Sequence, residues 1–118
     1  MIIDTASHVY PEAVKERVRA IAPNFGSMGG RIDNTRMLYD FDTRFRLMDE
    51  VGDYVQIISL SSPPIEELAS PQEGAEIARV ANDSMADIVS RHPDRFAGLA
   101  SLPPRRARRA PPRPGRAA

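Results

Sequence analysis

The sequence predicts an α/β fold built around a parallel sheet. Three short apolar segments of strand type alternate with amphipathic helical segments, and this alternation is typical of parallel strands joined by right-handed helical crossovers. With 118 residues, the chain has the length of one ordinary domain. It contains no cysteine, which excludes a disulfide scaffold, a thiol nucleophile and a zinc site built on thiolates.

The first predicted strand comprises residues 1–3 and ends at Asp4, after which polar and small residues predict a loop. Its continuous apolar character is typical of a buried parallel strand. Pro11 opens the first predicted helix and Pro23 ends it. The apolar face of this helix repeats every three or four residues and consists of Val14, Val18 and Ile21.

Residues 24–30 contain three glycines and predict a loop, which would be either a lid or a plain connector. Asp40 or Asp42 can cap a second helix that ends at Gly52. Its apolar stripe consists of Phe41, Phe45 and Met48. The next segment, 54–60, is nearly continuously apolar and rich in residues that favour strands, so it predicts the second strand.

A capping box predicts the start of the third helix. Ser70 is followed by proline at the first helical position and by Glu73 three residues later, and the helix is expected to run from about residue 71 to residue 91. Its polar face carries charge pairs four residues apart at 79/83 and 87/91. An apolar segment at 96–102 predicts the third strand. Functional groups in such sheets lie beyond the carboxyl ends of the strands.

Charge divides the chain into two parts at about Pro104. Residues 1–103 contain all 16 acidic residues but only ten of the 16 basic residues, a formal charge of −6, whereas residues 104–118 carry six arginines and a charge of +6. This asymmetry is typical of a folded body with an interaction tail. We therefore predict a folded domain over 1–103 and a disordered tail rich in Arg, Pro and Ala over 104–118.

The tail has two explanations. It uses only Pro, Arg, Ala and Gly, whose codons are rich in G and C, so we hypothesise that a frameshift near Pro103 or Pro104 replaced the natural continuation. The alternative is a genuine basic tail that contacts nucleic acid phosphates or another anionic surface. No aromatic residue is interleaved with the arginines, so base stacking has no platform and nucleic acid is the less favoured partner.

Four sequence blocks resemble the amidohydrolase superfamily. Residues 3–11, Ile-Asp-Thr-Ala-Ser-His-Val-Tyr-Pro, are similar to the strand-1 signature of amidohydrolase-related enzymes, in which an acid precedes a His-x-His pair. Within the superfamily, this segment most resembles the aminocarboxymuconate-semialdehyde decarboxylase-like group, which contains nonoxidative decarboxylases and some hydrolases. The other blocks, which extend the resemblance over nearly all of residues 1–103, are 46–52, 56–60 and 81–103.

The resemblance implies a metal-dependent (β/α)8 TIM barrel, of which this chain carries the first three β/α units, truncated before the fourth strand. It also implies a divalent metal, zinc or manganese, at the carboxyl face of the barrel. The family takes its ligands from strands 1, 5 and 8, and a further histidine near strand 6 assists the chemistry. Imidazole and carboxylate ligands suit such a cation, which would orient a substrate carboxylate or activate a water molecule.

The chain departs from the family pattern in two ways. Ala6 occupies the position of the first strand-1 histidine and has no donor atom, so His8 is the candidate ligand from this strand. Some decarboxylases of the group also vary at this position, so Ala6 favours decarboxylation over hydrolysis. Strands 4–8 are absent, together with the other ligands and the catalytic acid or base. We therefore expect this chain alone to bind no metal stably.

We assign four candidate site residues and no catalytic residue. His8 is the metal ligand in an intact parent, although without the motif it would be an ordinary loop histidine. Asp4 would lie behind the ligand and orient the strand-1 loop, or would simply be an acid that ends a strand. Ser61 and Ser62 follow the second strand and could contact substrate, or could merely form the turn before Pro63.

Four other polar side chains are interpreted as structural. Asn82 lies on the apolar face of the long helix, where its amide is expected to bond to loop backbone. His92 lies at the carboxyl end of that helix, where the dipole favours a cation. Arg36 and Arg44 could reach a carboxylate substrate, but we prefer a solvated helix face for both.

The predicted function is that of an N-terminal fragment of a metal-dependent nonoxidative decarboxylase. The parent would act on a small carboxylated aromatic or muconate-type substrate and could form homo-oligomers, whereas the fragment itself is expected to be inactive. We expect a cytoplasmic protein, because residues 1–4 lack a basic signal region and no apolar run approaches the ~18 residues of a membrane helix. The alternative is a small noncatalytic α/β module whose basic tail binds an anionic partner.

Overall fold

The computed structural model describes residues 1–25 and 29–102. Its centre is a three-stranded parallel sheet in the order β1-β2-β3. The strands are β1 (Ile2–Val9), β2 (Tyr54–Leu60) and β3 (Phe96–Gly98). The helices are α1 (Glu12–Ile21), α2 (Gly29–Asn34), α3 (Phe41–Val51), α4 (Ile65–Leu68) and α5 (Pro71–Arg91), with one 3-10 turn at Arg36–Leu38. The predicted α/β arrangement of parallel strands is confirmed.

Local sequence signals locate the ends of the three longer helices. Asp40, rather than Asp42, caps α3 by accepting a hydrogen bond from the Thr43 backbone N–H at 3.2 Å. Gly52 ends this helix with a φ of 95°, a conformation that a residue with a Cβ atom rarely adopts. The capping box of α5 is present in full, because Ser70 and Glu73 each accept a hydrogen bond from the other's backbone N–H.

Two predicted strand boundaries are wrong. Strand β1 does not end at Asp4 but continues to Val9, because residues 7–9 pair with residues 58–60 of β2. Strand β3 ends at Gly98 rather than at residue 102. Pairing between strands depends on the neighbouring strand as well as on local propensity, which explains both errors.

Three short elements were not predicted. These are α2, α4 and the 3-10 turn, each six residues long or shorter. Helix α2 begins at Gly29, inside the segment 24–30 that was predicted to be a loop, while residues 26–28 lie outside the described residues. The predicted tail over 104–118 also lies outside them.

The sheet has two unlike faces. The covered face packs against the helices, and its side chains are Ser7, Val9, Gln56, Ile58 and Phe96, all buried. The open face presents Ile3, His8, Val55, Ile57, Ser59 and Ala97, all of which are exposed or half-buried. Strand β1 therefore does not have the fully buried character that its apolar start predicted, since Ile3 is 51% exposed.

Two hydrophobic clusters hold the helices on the covered face. One joins the sheet to α3 and α5, and its buried members are Val9, Met48, Ile58, Met85, Ile88 and Phe96. The other joins α1 to α5 and the loops before and after them, and is centred on Tyr10, Val14, Val18, Ile77, Ala78 and Ala81. Burial of such side chains supplies most of the stability of a small domain.

None of the helices within 1–25 and 29–102 combines the length and the apolar character that a membrane span requires.

Candidate functional site

A β-bulge in β1 decides which side chains lie on each face of the sheet. Asp4 pairs with Gln56 and Ser7 pairs with Ile58, so two residues of β1 oppose one residue of β2 between these pairs. Because side chains alternate with a period of two, the extra residue reverses the alternation. Asp4 and Ser7 therefore share the covered face, and His8 lies on the open face.

The Asp4 carboxylate stabilises this bulge. It accepts hydrogen bonds from the Ser7 hydroxyl at 2.6 Å, from the Ala6 backbone N–H at 3.0 Å and from the Tyr54 hydroxyl at 2.8 Å. The Ser7 bond, followed by those from Ala6 and Tyr54, lowers the pKa of Asp4 below its usual value. The acid that was expected to orient the segment bearing His8 thus contacts that segment directly.

Arg44 is buried on the covered face, with 3% of its surface exposed, so the prediction of a solvated helix face is wrong. It donates to the side-chain oxygen of Gln56 at 2.7 Å and to the backbone carbonyl of His8 at 2.5 Å. It also donates two hydrogen bonds to the Met37 carbonyl. Burial lowers the pKa of Arg44, while Tyr54 and Asp4 oppose that shift.

The physical reason for the burial of Arg44 is that its planar guanidinium finds carbonyl and amide acceptors from three segments at once. A signal for this contact was present in the sequence. Gln56 stands among apolar residues in a predicted strand, and a buried amide needs a partner.

His8 lies across the strand pair from Ser59. The two residues are partners in the β1–β2 register, and His8 Nδ1 is 3.0 Å from Ser59 Oγ. Sequence reasoning missed Ser59 because it selected the serines beyond the end of the strand. The register of a parallel pair, which the sequence does not fix, was needed to identify it.

The carboxyl ends of β1 and β2 are held together, and the Ser61 backbone N–H donates to the Val9 carbonyl at 2.9 Å. Ser61 lines a cleft of about 190 Å³ with Pro63, Glu66 and Ser101 among its other residues. Ser62 is exposed and does not line this cleft. A substrate contact by either serine stays a prediction.

The two residues interpreted as structural near β3 have structural contacts. The Asn82 side chain accepts from the Ser101 backbone N–H at 2.7 Å and donates to the Ser101 carbonyl at 2.9 Å. Asn82 therefore joins α5 to the segment after β3, as expected of an amide on that face. The His92 ring packs against Phe45, with ring centroids 4.6 Å apart.

A larger groove, of about 420 Å³, lies between α5 and β3. It is lined by Asn82, Met85, Ala86, Val89, Ser90, Gly98, Leu99 and Ala100. None of these side chains titrates or carries a charge, so we assign no chemistry to this groove.

The candidate residues near the end of β1 can fill one ligand position of a metal site. His8 provides an imidazole, Ala6 has no donor atom, and the Asp4 carboxylate is engaged on the opposite face of the sheet. Within the described ranges, no group of three or more His, Cys, Asp or Glu side chains could hold a metal ion. Since a catalytic metal needs about three protein ligands, these residues do not complete such a site.

No family model matches the chain. Among curated proteins, it is similar to the gamma-resorcylate decarboxylase of Polaromonas sp., with 44% identity over 69 residues, which is 58% of this chain and 21% of that protein. It is also similar to the 2-amino-3-carboxymuconate-6-semialdehyde decarboxylase of Dictyostelium discoideum, with 34% identity over 65 residues, 55% of this chain and 18% of that protein. The chain thus spans about a fifth of the length of these relatives.

Solved structures resemble a larger part of the chain. A dihydroxybenzoic acid decarboxylase from Polaromonas sp., with bound manganese and the inhibitor 2-nitroresorcinol, has a TM-score of 0.63 and 33% identity over 86% of this chain and 30% of its own. A 5-carboxyvanillate decarboxylase from Sphingomonas paucimobilis has a TM-score of 0.69 and 27% identity over 84% of this chain and 33% of its own.

An amidohydrolase II structure shows the same fold, with a TM-score of 0.65 and 23% identity over 87% of this chain and 32% of its own. The predicted barrel-type fold is confirmed, because the three β/α units correspond to about a third of these TIM-barrel enzymes. Over the matched stretch, the chain is homologous to gamma-resorcylate and aminocarboxymuconate-semialdehyde decarboxylases and has part of the TIM-barrel fold of the amidohydrolase superfamily.

Proposed function

We propose that this chain supplies the His8-bearing part of a metal-dependent nonoxidative decarboxylase that acts on a small carboxylated aromatic compound. The observation that carries the proposal is the 44% identity to a gamma-resorcylate decarboxylase over 69 residues. The position of His8 supports it, because His8 is exposed near the carboxyl end of β1, where barrel enzymes place their functional groups.

The solved relatives indicate the class of cofactor and substrate. A relative at 33% identity holds manganese and a nitroresorcinol inhibitor, so we propose manganese or zinc as the cation of the complete site and a hydroxylated benzoate as its substrate. A divalent cation there would supply charge that orients the carboxylate. In the reaction, a proton is added to the ring carbon that bears the carboxylate, the bond to the carboxyl carbon breaks, and carbon dioxide leaves.

The residues of this chain would help to hold the cation and would orient the His8 imidazole, and they would not transfer the proton. His8 would offer one imidazole nitrogen on the open face, and Arg44 would fix its backbone through the His8 carbonyl. Asp4 would maintain the bulge that turns His8 to this face. We expect the 118-residue chain alone to be inactive, since one imidazole cannot complete the site.

A graft tests the proposal. Residues 1–102 would replace the matching segment of the Polaromonas gamma-resorcylate decarboxylase, and carbon dioxide release from gamma-resorcylate would be measured with manganese present. We expect activity that is lost on His8→Ala but kept on Asp94→Ala, an exposed position. A folded graft without activity, or one whose activity survives His8→Ala, would contradict the proposal.

The second candidate is a noncatalytic module, and the six arginines among residues 104–118 favour it. If the tail binds an anionic partner, the full chain should be retained on an anionic column in a salt-dependent way, and a chain ending at residue 103 should not. Retention without any activity of the graft would favour this candidate over the decarboxylase.

A further inference from the structure

Ser59 is the residue best placed to determine how His8 presents its imidazole. The two residues are direct partners in the parallel register, and their side chains lie on the same open face. The distance from Ser59 Oγ to His8 Nδ1 is 3.0 Å, which is within hydrogen-bond range. Ser59 is half-buried within β2, so the strand fixes the position of its hydroxyl.

The other polar groups near His8 act on its backbone or on the opposite face. Arg44 donates to the His8 carbonyl and does not contact the ring. Asp4 is engaged by Ser7, Ala6 and Tyr54. The backbone of His8 is thus held from the covered face, while its ring is held by a hydroxyl on the open face.

We propose that Ser59 is a positioning residue whose hydroxyl oxygen accepts a hydrogen bond from the Nδ1–H of His8, which leaves the lone pair on Nε2. A neutral imidazole carries one N–H and one lone pair, and the partner of one nitrogen selects the tautomer. Histidines that bind metals usually donate their second N–H to an acceptor in this way. The proposal deepens the proposed function, because it names the nitrogen that His8 offers to a cation.

The tautomer can be measured directly in the full chain by long-range proton–nitrogen NMR correlations of the histidine rings, at a pH at which the rings are neutral. We expect His8 to carry its proton on Nδ1 in the wild type and in Ser59→Thr. In Ser59→Ala, the population should shift toward the form protonated on Nε2.

Two controls are available in the same molecule. His92 packs against Phe45, far from β1 in sequence, and its ring signals should not respond to changes at Ser59. Ser61→Ala removes a hydroxyl two residues along the chain without touching the contact between Ser59 and His8, so it should leave the His8 tautomer unchanged.

The tautomer measurement needs no metal, so its outcome is separate from that of the graft that tests the proposed function. Excess zinc gives a second readout: we expect it to bind His8 only weakly through Nε2, because one imidazole does not complete a site, and we expect Ser59→Ala to weaken that binding about tenfold, near the low end of effects seen when partners of metal-binding histidines are removed. Wild-type His8 protonated on Nε2, or an unchanged tautomer in Ser59→Ala, overturns the inference even if zinc binds. The expected tautomers without any zinc response at His8 would still uphold the inference about Ser59, and a folded but inactive graft of residues 1–102 would then count against the proposed function alone.

Discussion

The covered and open faces of the sheet differ in how their polar groups are satisfied. On the covered face, the Arg44 guanidinium bonds to Gln56 and to two backbone carbonyls, and the Asp4 carboxylate accepts three hydrogen bonds. On the open face, the His8 ring has one hydroxyl partner and is exposed. The comparison indicates that the buried polar network lies on the covered face, while His8, the proposed metal ligand, lies on the open face.

Strand β1 contributes side chains to both faces of the sheet. The bulge after Asp4 decides which side chains of this strand lie on each face. Ser7 and Val9 pack against the helices, and His8 lies on the open face. The polar network on the covered face therefore fixes the backbone from which His8, the proposed metal ligand, projects.

The largest expected difference between the faces is seen at two neighbouring isoleucines of β2. Ile58 is fully buried on the covered face, and Ile57 is half-buried on the open face. We expect Ile58→Ala to lower the free energy of unfolding by about 2–5 kcal/mol and Ile57→Ala by less than about 1.5 kcal/mol. Urea denaturation measures both values, and equal losses would contradict the assignment of the faces.

Removal of the Arg44 side chain should have the next largest effect. Arg44→Ala leaves the buried Gln56 amide and the Met37 carbonyl without their donor, so we expect a loss of about 1–3 kcal/mol in the free energy of unfolding. Arg46→Ala is the matched control on the same helix, because Arg46 is exposed and should change stability by no more than about 0.5 kcal/mol.

Asp4→Ala tests the link between the faces. It removes the acceptor of three hydrogen bonds at the bulge, and we expect a loss of about 1–2 kcal/mol. Backbone NMR shifts from Ala6 to Val9 should also change, because the bulge loses its anchor. If stability falls while these shifts stay as they are, the carboxylate does not hold the bulge.

The capping box of α5 lies away from both faces and should give a smaller effect. Ser70→Ala removes the acceptor of the Glu73 backbone N–H, which typically costs about 1 kcal/mol. Thermal melting followed by circular dichroism measures this loss. Ser90→Ala, at the other end of the helix, is the comparison and should cost less.

Acid should weaken the fold gradually. Three carboxyl groups have lowered pKa values because they accept hydrogen bonds. The main donor is Ser7 for Asp4, the Thr43 backbone for Asp40 and Ser70 for Glu73. Since these folded-state pKa values lie below the unfolded ones, their stabilisation is complete above about pH 5 and is lost as the pH falls further. Melting temperatures between pH 7 and pH 2.5 should show this decline, and Asp40→Asn should make it shallower.

The sequence by itself determined those elements whose signals are local. It located β2 over Tyr54–Leu60 and α5 over Pro71–Arg91, because a β-rich apolar run and a capping box act within a few residues. The end of α3 at Gly52 follows from the same short-range chemistry, whereas the sequence left its cap open between Asp40 and Asp42. The sequence also showed the motif around His8 and the lack of a metal-binding side chain at Ala6.

Only the tertiary structure decided the features that depend on contacts between distant segments. The bulge in β1, the burial of Arg44 and the pairing of His8 with Ser59 each join residues 12 to 52 positions apart. No local propensity encodes the register of two strands, and a one-residue shift in that register moves every side chain to the other face. The sequence therefore identified the histidine, while strand pairing decided where it lies and which hydroxyl it meets.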